Sequence, residues 1–120
     1  ISYTENIQPI CLPSRDQDIS SDSTATVVGF GFYSFPEEKE IVKSRSDVLL
    51  EAQVPILNEC EIHWNATVES QICAGGKRLG FGSGDSGGPL LVRSIDRRWY
   101  EIGIVSYGTV NVENVNDVNK

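Results

Sequence analysis

The 120-residue chain contains no methionine, one histidine and three cysteines, and these low counts argue against some classes of function. Without a methionine, Ile1 is not a translation start, and we expect the chain to be part of a longer protein. The lone histidine, His63, has no metal-ligand cluster around it, so we expect neither a metal site nor another cofactor. No apolar run approaches the roughly 20 residues that cross a bilayer, so no membrane span is predicted.

Positive charge is also scarce. Ten lysines and arginines face 17 aspartates and glutamates, which gives a formal net charge of −7. A polyanion such as nucleic acid would be repelled, so we expect no nucleic-acid partner. The arginines that gather at Arg93, Arg97 and Arg98 flank Asp96, and we interpret them as a solvated hairpin turn.

The hydrophobic pattern predicts an all-β fold. Residues 48–56 alternate between apolar and other positions, which is typical of a strand with one buried face. Pro55 indicates an edge or the end of that strand. Residues 24–32 are rich in β-forming side chains, and residues 89–95 and 99–107 predict two strands joined by a turn. Short strands with glycine- and proline-rich turns favour a barrel.

One short helix is predicted from Asn58. Glu61 follows three residues later, a pattern in which the two side chains satisfy free N–H groups of the first helical turn. The helix should end near Asn65.

The most informative stretch is Gly-Asp-Ser-Gly-Gly-Pro at residues 84–89. Glycines permit a tight turn that exposes the serine hydroxyl. The backbone N–H groups of Gly84 and Ser86 can then point at one oxygen atom, as in an oxyanion hole. A chance glycine-rich turn is the alternative, but a six-residue motif followed directly by an apolar run makes it improbable.

This motif closely resembles the one around the nucleophile of the chymotrypsin/trypsin-like serine proteases (peptidase S1). Further segments match that family in order and spacing: residues 7–13, 27–31, 50–56, 71–75 and 103–108. The resemblance identifies residues 1–108 as the C-terminal half of a trypsin-like serine protease domain. It implies the second six-stranded-type β-barrel of a chymotrypsin-like double barrel, with one short helix.

The resemblance implies a secreted, extracellular serine endopeptidase that acts on protein or peptide substrates. Ser86 would be the nucleophile, and the N–H groups of Gly84 and Ser86 would form the oxyanion hole. Asp85 would be an activation switch that pairs with an α-amino group released by cleavage. The resemblance places the substrate-binding residues at Gly80, Ser83, Ser106, Tyr107 and Gly108.

The resemblance also predicts substrate preference. Gly80 stands where trypsin-like members carry the aspartate that pairs with a substrate lysine or arginine, so no such preference is expected. Gly108 leaves the pocket wall open for a sizeable apolar side chain. An elastase- or chymotrypsin-like preference follows.

The family's catalytic histidine and aspartate contexts are absent from the sequence. In the family both precede the segment that resembles residues 1–13, so we expect them in a missing N-terminal half of the domain. His63 lies where the family keeps no catalytic residue. A serine without a base is a weak nucleophile, so the chain alone should be inactive.

The resemblance assigns roles to the cysteines and to one asparagine. Cys60 and Cys73 match a disulfide of the family. The cysteine that matches Cys11 often tethers the catalytic domain to a cleaved pro-segment, and a free buried thiol is the alternative. Asn65 begins an Asn-Ala-Thr glycosylation motif, whose use is favoured in a secreted protein.

Residues 109–120 form a polar, low-complexity tail that does not fit the family's pattern. A solvated end of the chain, an artefact of the gene model and an alternative splice end are the three interpretations, and an artefact is favoured over a splice end.

Two alternatives to the protease remain. The first is a catalytically inactive homologue that acts as an extracellular binding module, against which the intact nucleophile motif argues. The second is a truncated product that does not fold stably, because a half-domain exposes the face meant for the other barrel.

Overall fold

The computed structural model describes residues 1–15, 24–33, 45–57, 71–76 and 80–108. Within these ranges the chain is all-β, as predicted, and contains no helix. The strands are β1 Thr24–Gly29, β2 Leu50–Leu57, β3 Cys73–Ala74, β4 Pro89–Arg93 and β5 Trp99–Ile104. The helix predicted from Asn58 lies outside the described residues. No helix in the described ranges is long and apolar enough to cross a membrane.

The five strands form one antiparallel sheet in the order β3-β2-β1-β4-β5. The longest ladder joins β1 to β2, from Thr24 opposite Pro55 to Gly29 opposite Leu50. Strands β4 and β5 form the predicted hairpin. This all-β, antiparallel arrangement is the one expected of a chymotrypsin-like β-barrel.

The alternation in β2 places its inward residues as predicted. Val54 and Ile56 are buried, whereas their neighbours Gln53, Pro55 and Leu57 are exposed. They pack in a core cluster drawn from four strands: Ala25, Val27, Val54, Ile56, Leu90 and Ile102. Full burial of a valine, leucine or isoleucine side chain stabilises the fold by roughly 1.5–3 kcal/mol. This core holds the sheet together, and the candidate site lies beside the ends of its strands.

Pro55 neither ends its strand nor lies in an edge strand. Strand β2 continues two residues further and lies between β1 and β3. The ladder with β3 pairs only Ile56 and Leu57, and the Pro55 carbonyl accepts a hydrogen bond from the Gly75 N–H at 2.9 Å. The missing N–H of Pro55 therefore faces the side on which the ladder stops, where a proline costs little.

A β-bulge interrupts the β4–β5 ladder. Leu90 pairs with Gly103 and Leu91 with Glu101, so Ile102 is the extra residue on β5. A bulge bends the strand and increases its twist. On the β4 side the irregularity lies between Leu90 and Leu91, close to the end of the loop that carries the serine motif.

Candidate active site

Residues 82–88, which we call the serine loop, consist of two successive β-turns. The Asp85 N–H donates to the Gly82 carbonyl at 3.1 Å, and the Gly88 N–H donates to the Asp85 carbonyl at 2.9 Å. Gly84 and Gly87 occupy the third position of these turns, with φ of 101° and 84°. A positive φ at the third position is what a type II turn requires, and glycine adopts it without strain. The two turns leave Ser86 exposed.

The carboxylate of Asp85 anchors the serine loop. The Gly31 N–H donates to Oδ1 at 2.7 Å, and the Gly82 N–H donates to Oδ2 at 2.9 Å. The group is half-buried, and hydrogen bonds to an ionised acceptor are about twice as strong as neutral ones. The aspartate before the serine therefore joins the serine loop to the chain that follows β1.

Gly29 and Gly31 leave the space that this carboxylate fills. A Cβ built on Gly29 would lie 2.0 Å from Asp85 Oδ1, and one on Gly31 would lie 2.6 Å from the same atom. Neither distance is compatible with a side chain. The two glycines of the Gly-Phe-Gly segment at residues 29–31 therefore make room for the Asp85 carboxylate.

The backbone donors proposed for the oxyanion hole are unused. Among the described residues, neither the Gly84 N–H nor the Ser86 N–H donates a hydrogen bond. Gly84 and Ser86 are both exposed, so a substrate oxygen can reach them. Unpaired N–H groups on exposed residues of a fixed turn are compatible with an oxyanion hole.

A cavity of about 60 Å³ lies beside Asp85. Its apolar walls come from β1, β2 and the residue just before the serine loop, and include Val27, Leu50, Ala52 and Phe81, while Glu51 also lines it. Asp85 supplies a carboxylate to this lining. In the described ranges no cation lies within ion-pair distance of Asp85, and Ile1 is fully exposed. The cavity therefore combines an apolar wall with an acceptor of unit charge.

The segment after β5 lies against the serine loop. The Gly87 N–H donates to the Val105 carbonyl, and the Val105 N–H donates to the Gly88 carbonyl, both at 2.8 Å. The next residues, Ser106, Tyr107 and Gly108, are exposed. The structure thus brings three of the predicted substrate-binding residues beside the loop that carries Ser86.

The other two predicted substrate-binding residues precede Asp85. Ser83 is exposed, and its carbonyl accepts a hydrogen bond from the Phe32 N–H at 2.9 Å. Gly80 is half-buried and lines the cavity beside Asp85.

Several contributing residues were not predicted. Gly31 anchors Asp85 across 54 residues of sequence, and Gln71 donates to the Tyr107 hydroxyl at 2.9 Å. The side-chain Oε1 of Gln71 is buried without a hydrogen-bond partner in the described ranges. The Arg45 guanidinium lies beside Gly84, because a Cβ on Gly84 would be 3.4 Å from Arg45 Nε. Of these residues, only the two glycines at positions 29 and 31 stood out in the sequence.

Cys11 is a free, half-buried thiol, whereas Cys73 is not free. The Cys11 segment lies parallel to the edge of β5: its N–H donates to the Trp99 carbonyl at 3.3 Å, and its carbonyl accepts from Glu101 at 2.9 Å. The side chains of Cys60, His63 and Asn65 and the tail from residue 109 lie outside the described ranges. In the described residues, no three His, Cys, Asp or Glu side chains are grouped to hold a metal ion.

Comparisons with known proteins agree with this geometry. The family model described as Trypsin matches residues 1–119, which includes the segment that we set apart as a tail. The boundary at residue 108 stays a prediction. The chain is also 36% identical over 116 residues to vitamin K-dependent protein C of Macaca mulatta, an alignment that covers 89% of this chain and 71% of the relative. The chain therefore belongs to the trypsin family of serine proteases.

Proposed function

We propose that this chain carries the nucleophile and oxyanion hole of a secreted serine endopeptidase. The observation that supports this most directly is the exposed Ser86 on a loop whose Gly84 and Ser86 N–H groups are unpaired among the described residues. Ser86 Oγ attacks the scissile carbonyl carbon and gives its proton to a base. The carbonyl oxygen becomes negatively charged between the two N–H donors, which stabilise it.

In this proposal, the base that activates Ser86 and the group that orients this base lie outside the described residues. His63 is the single histidine of the sequence and lies in none of the family's catalytic contexts. We propose that the histidine and aspartate belong to the N-terminal half of the domain. The 120-residue chain alone is then inactive, because Ser86 lacks an activating base.

Fluorophosphonate labelling tests this function. The protein made from the complete transcript should label at Ser86, and Ser86→Ala should abolish the label. The isolated 120-residue chain should not label. Strong labelling of the isolated chain that disappears in Ser86→Ala would contradict the absence of a base and turn attention to His63. No labelling of the complete protein, in the presence of a histidine and an aspartate in family context, would favour the binding module instead.

We also propose that Asp85 is the activation switch. The cavity beside its carboxylate has apolar walls and suits an apolar side chain whose α-amino group pairs with Asp85. A half-buried carboxylate gains from such a cation, provided that the pair is well hydrogen-bonded. The Asp85→Asn variant of the complete protein should lose at least about 100-fold in kcat, the scale of a lost oxyanion-hole donor, while secretion is largely kept. Full activity of this variant would rule out the switch.

The extracellular features of the proposal concern the cysteines and Asn65. We propose a disulfide between Cys60 and Cys73. Two observations support it: Cys73 is not free, whereas Cys11 is a free thiol. Peptide mapping without reduction should recover this pair, and a Cys11 link to either residue would contradict it. Cys11, at the edge of β5, is then available to a pro-segment, and Asn65 carries a glycan. Both follow from secretion rather than from a contact described here.

A further inference from the structure

We propose that Phe81 closes the side-chain pocket of this protease from within, so that the site takes peptides with glycine or alanine before the scissile bond. This inference rests on the proposed function, and on the family resemblance that places the substrate side-chain pocket at Gly80 and Gly108. It concerns a residue to which the sequence pattern assigned no role.

The observation behind it is the contact between Phe81 and Gly108. A Cβ built on Gly108 would lie 3.0 Å from Cζ and 3.2 Å from Cε2 of the Phe81 ring. The tip of the ring is therefore packed directly against the Gly108 backbone. The space that a glycine leaves at this wall is occupied by the protein's own phenyl ring rather than left for a substrate.

The backbone on both sides of Phe81 is fixed. The Gly82 N–H donates to Asp85 Oδ2, and a Cβ on Gly82 would lie 2.0 Å from the Phe32 carbonyl oxygen. The chain at residue 82 thus has no room to shift towards Phe32. The position of the Phe81 Cα is consequently set by the same carboxylate that holds the serine loop.

Movement of the ring away from Gly108 is unfavourable. Rotation into solvent would expose an aromatic surface that is now half-buried.

The consequence for substrates is a preference by size. A glycine or alanine side chain fits in front of the ring, whereas a phenylalanine, tyrosine or leucine side chain would overlap it. Gly80 adds no charge, so a lysine or arginine gains nothing in compensation for the overlap. This is narrower than the expectation drawn from Gly108 alone, which included large apolar side chains.

Binding of indole, an aromatic side-chain mimic, tests the inference without chemistry at Ser86. The 120-residue chain is titrated with indole while the amide resonances of Gly80 and Gly108 are followed by NMR. Wild type should show no saturable shift, and Phe81→Ala should bind at least ten-fold more tightly. Phe30→Ala, which removes an exposed phenylalanine elsewhere, should behave as wild type. Equal affinity of wild type and Phe81→Ala at Gly108 would overturn the proposal.

A second measurement decides the matter if Phe81→Ala does not fold. In wild type the Phe81 ring should shift the Gly108 Hα resonance upfield, with cross-relaxation between that proton and the ring, and Phe81→Leu should remove the upfield shift. Absence of both effects in wild type would overturn the inference. Ser86 takes no part in these readouts. An unreactive Ser86 would therefore refute the proposed function and leave the closed pocket standing.

Peptide hydrolysis by the complete protein then measures the preference itself. The value of kcat/KM should be at least ten-fold higher for alanine than for phenylalanine before the scissile bond. Phe81→Ser should raise the phenylalanine value at least ten-fold. A wild-type preference for phenylalanine would contradict the inference even if the protein proves to be an active serine protease.

Discussion

Strand β4 lies between two turns, each containing an aspartate that accepts main-chain hydrogen bonds, and the two aspartates do different work. In the serine loop, Asp85 is half-buried and accepts from Gly31, 54 residues earlier in the chain. In the β4–β5 turn, Asp96 is exposed and accepts from the N–H of Arg98, two residues later. An aspartate thus links distant segments at one end of β4 and stabilises a local turn at the other end.

The difference shows what makes a turn part of a site. The Asp96 contacts reach no further along the chain than Tyr100. Arg98 Nε donates to Asp96 Oδ2 at 2.7 Å and the Tyr100 hydroxyl to the same atom at 3.2 Å, and the Asp96–Arg98 pair faces solvent, where ion pairs are weak. The Asp85 contacts connect separate segments, and glycines make room for them. We therefore expect substitutions at the Asp85 anchor to disturb several segments of the chain, and substitutions in the β4–β5 turn to affect only that turn.

The largest effect should come from Gly29→Ala. Its Cβ would lie 2.0 Å from Asp85 Oδ1, so the carboxylate must leave its place and lose the hydrogen bond from Gly31. We expect a loss of at least about 3 kcal/mol in the free energy of unfolding, as overpacking adds to a lost charged hydrogen bond. Urea denaturation measures it.

Gly76→Ala is the matched control, because within the part of the chain that the structure describes its Cβ would meet nothing closer than Pro55 Cγ at 3.7 Å. It should change stability little. The double variant Gly29→Ala/Asp85→Ala should be less destabilised than the two single losses added together, since the clashing group is gone. Additive losses would show that Gly29 does not act through Asp85.

Asp85→Asn should have the next largest effect on stability. Both carboxylate oxygens accept an N–H, and an amide nitrogen cannot accept, so Gly31 or Gly82 loses its acceptor. The expected loss is roughly 1.5–3 kcal/mol, as for a hydrogen bond to a charged group. Hydrogen exchange at the Gly31 and Gly82 amides should accelerate in the variant. Unchanged protection at both amides would contradict the anchoring role.

In the β4–β5 turn, Arg97→Gly should be mildly stabilising. Arg97 has a φ of 65°, which costs a non-glycine residue roughly 1–2 kcal/mol, and glycine adopts it freely. The greater chain entropy of glycine in the unfolded state offsets part of the gain, so about 0.5–1 kcal/mol should remain. Thermal unfolding measures the change. A destabilised variant would mean that the Arg97 side chain contributes more than its strained backbone costs.

The same contrast explains how far the sequence was informative. The β4–β5 hairpin and the inward face of β2 follow from patterns within a few residues, and both were predicted. The Ser86 motif was found because its chemistry is local to residues 84–89. The Gly31–Asp85 hydrogen bond and the Phe81–Gly108 contact join distant segments. No periodicity or spacing encodes such pairs, because they depend on how the sheet brings its strand ends together.

The smallest effect should be the pH response of Asp96. The Arg98 N–H is the main cause that lowers the pKa of Asp96, slight burial opposes it, and the Arg98 side chain adds to the lowering. A pKa lowered in the folded state gives stability that is present above the unfolded pKa and lost as the pH falls through the folded value. The loss should therefore begin as the pH falls through the ordinary aspartate pKa and be complete below the lowered folded value. Carboxyl carbon NMR titration measures the folded pKa, and Arg98→Gln should raise it only part of the way, because the main-chain N–H remains. Complete loss of the shift in Arg98→Gln would mean that the guanidinium, not the backbone, holds the turn's charge.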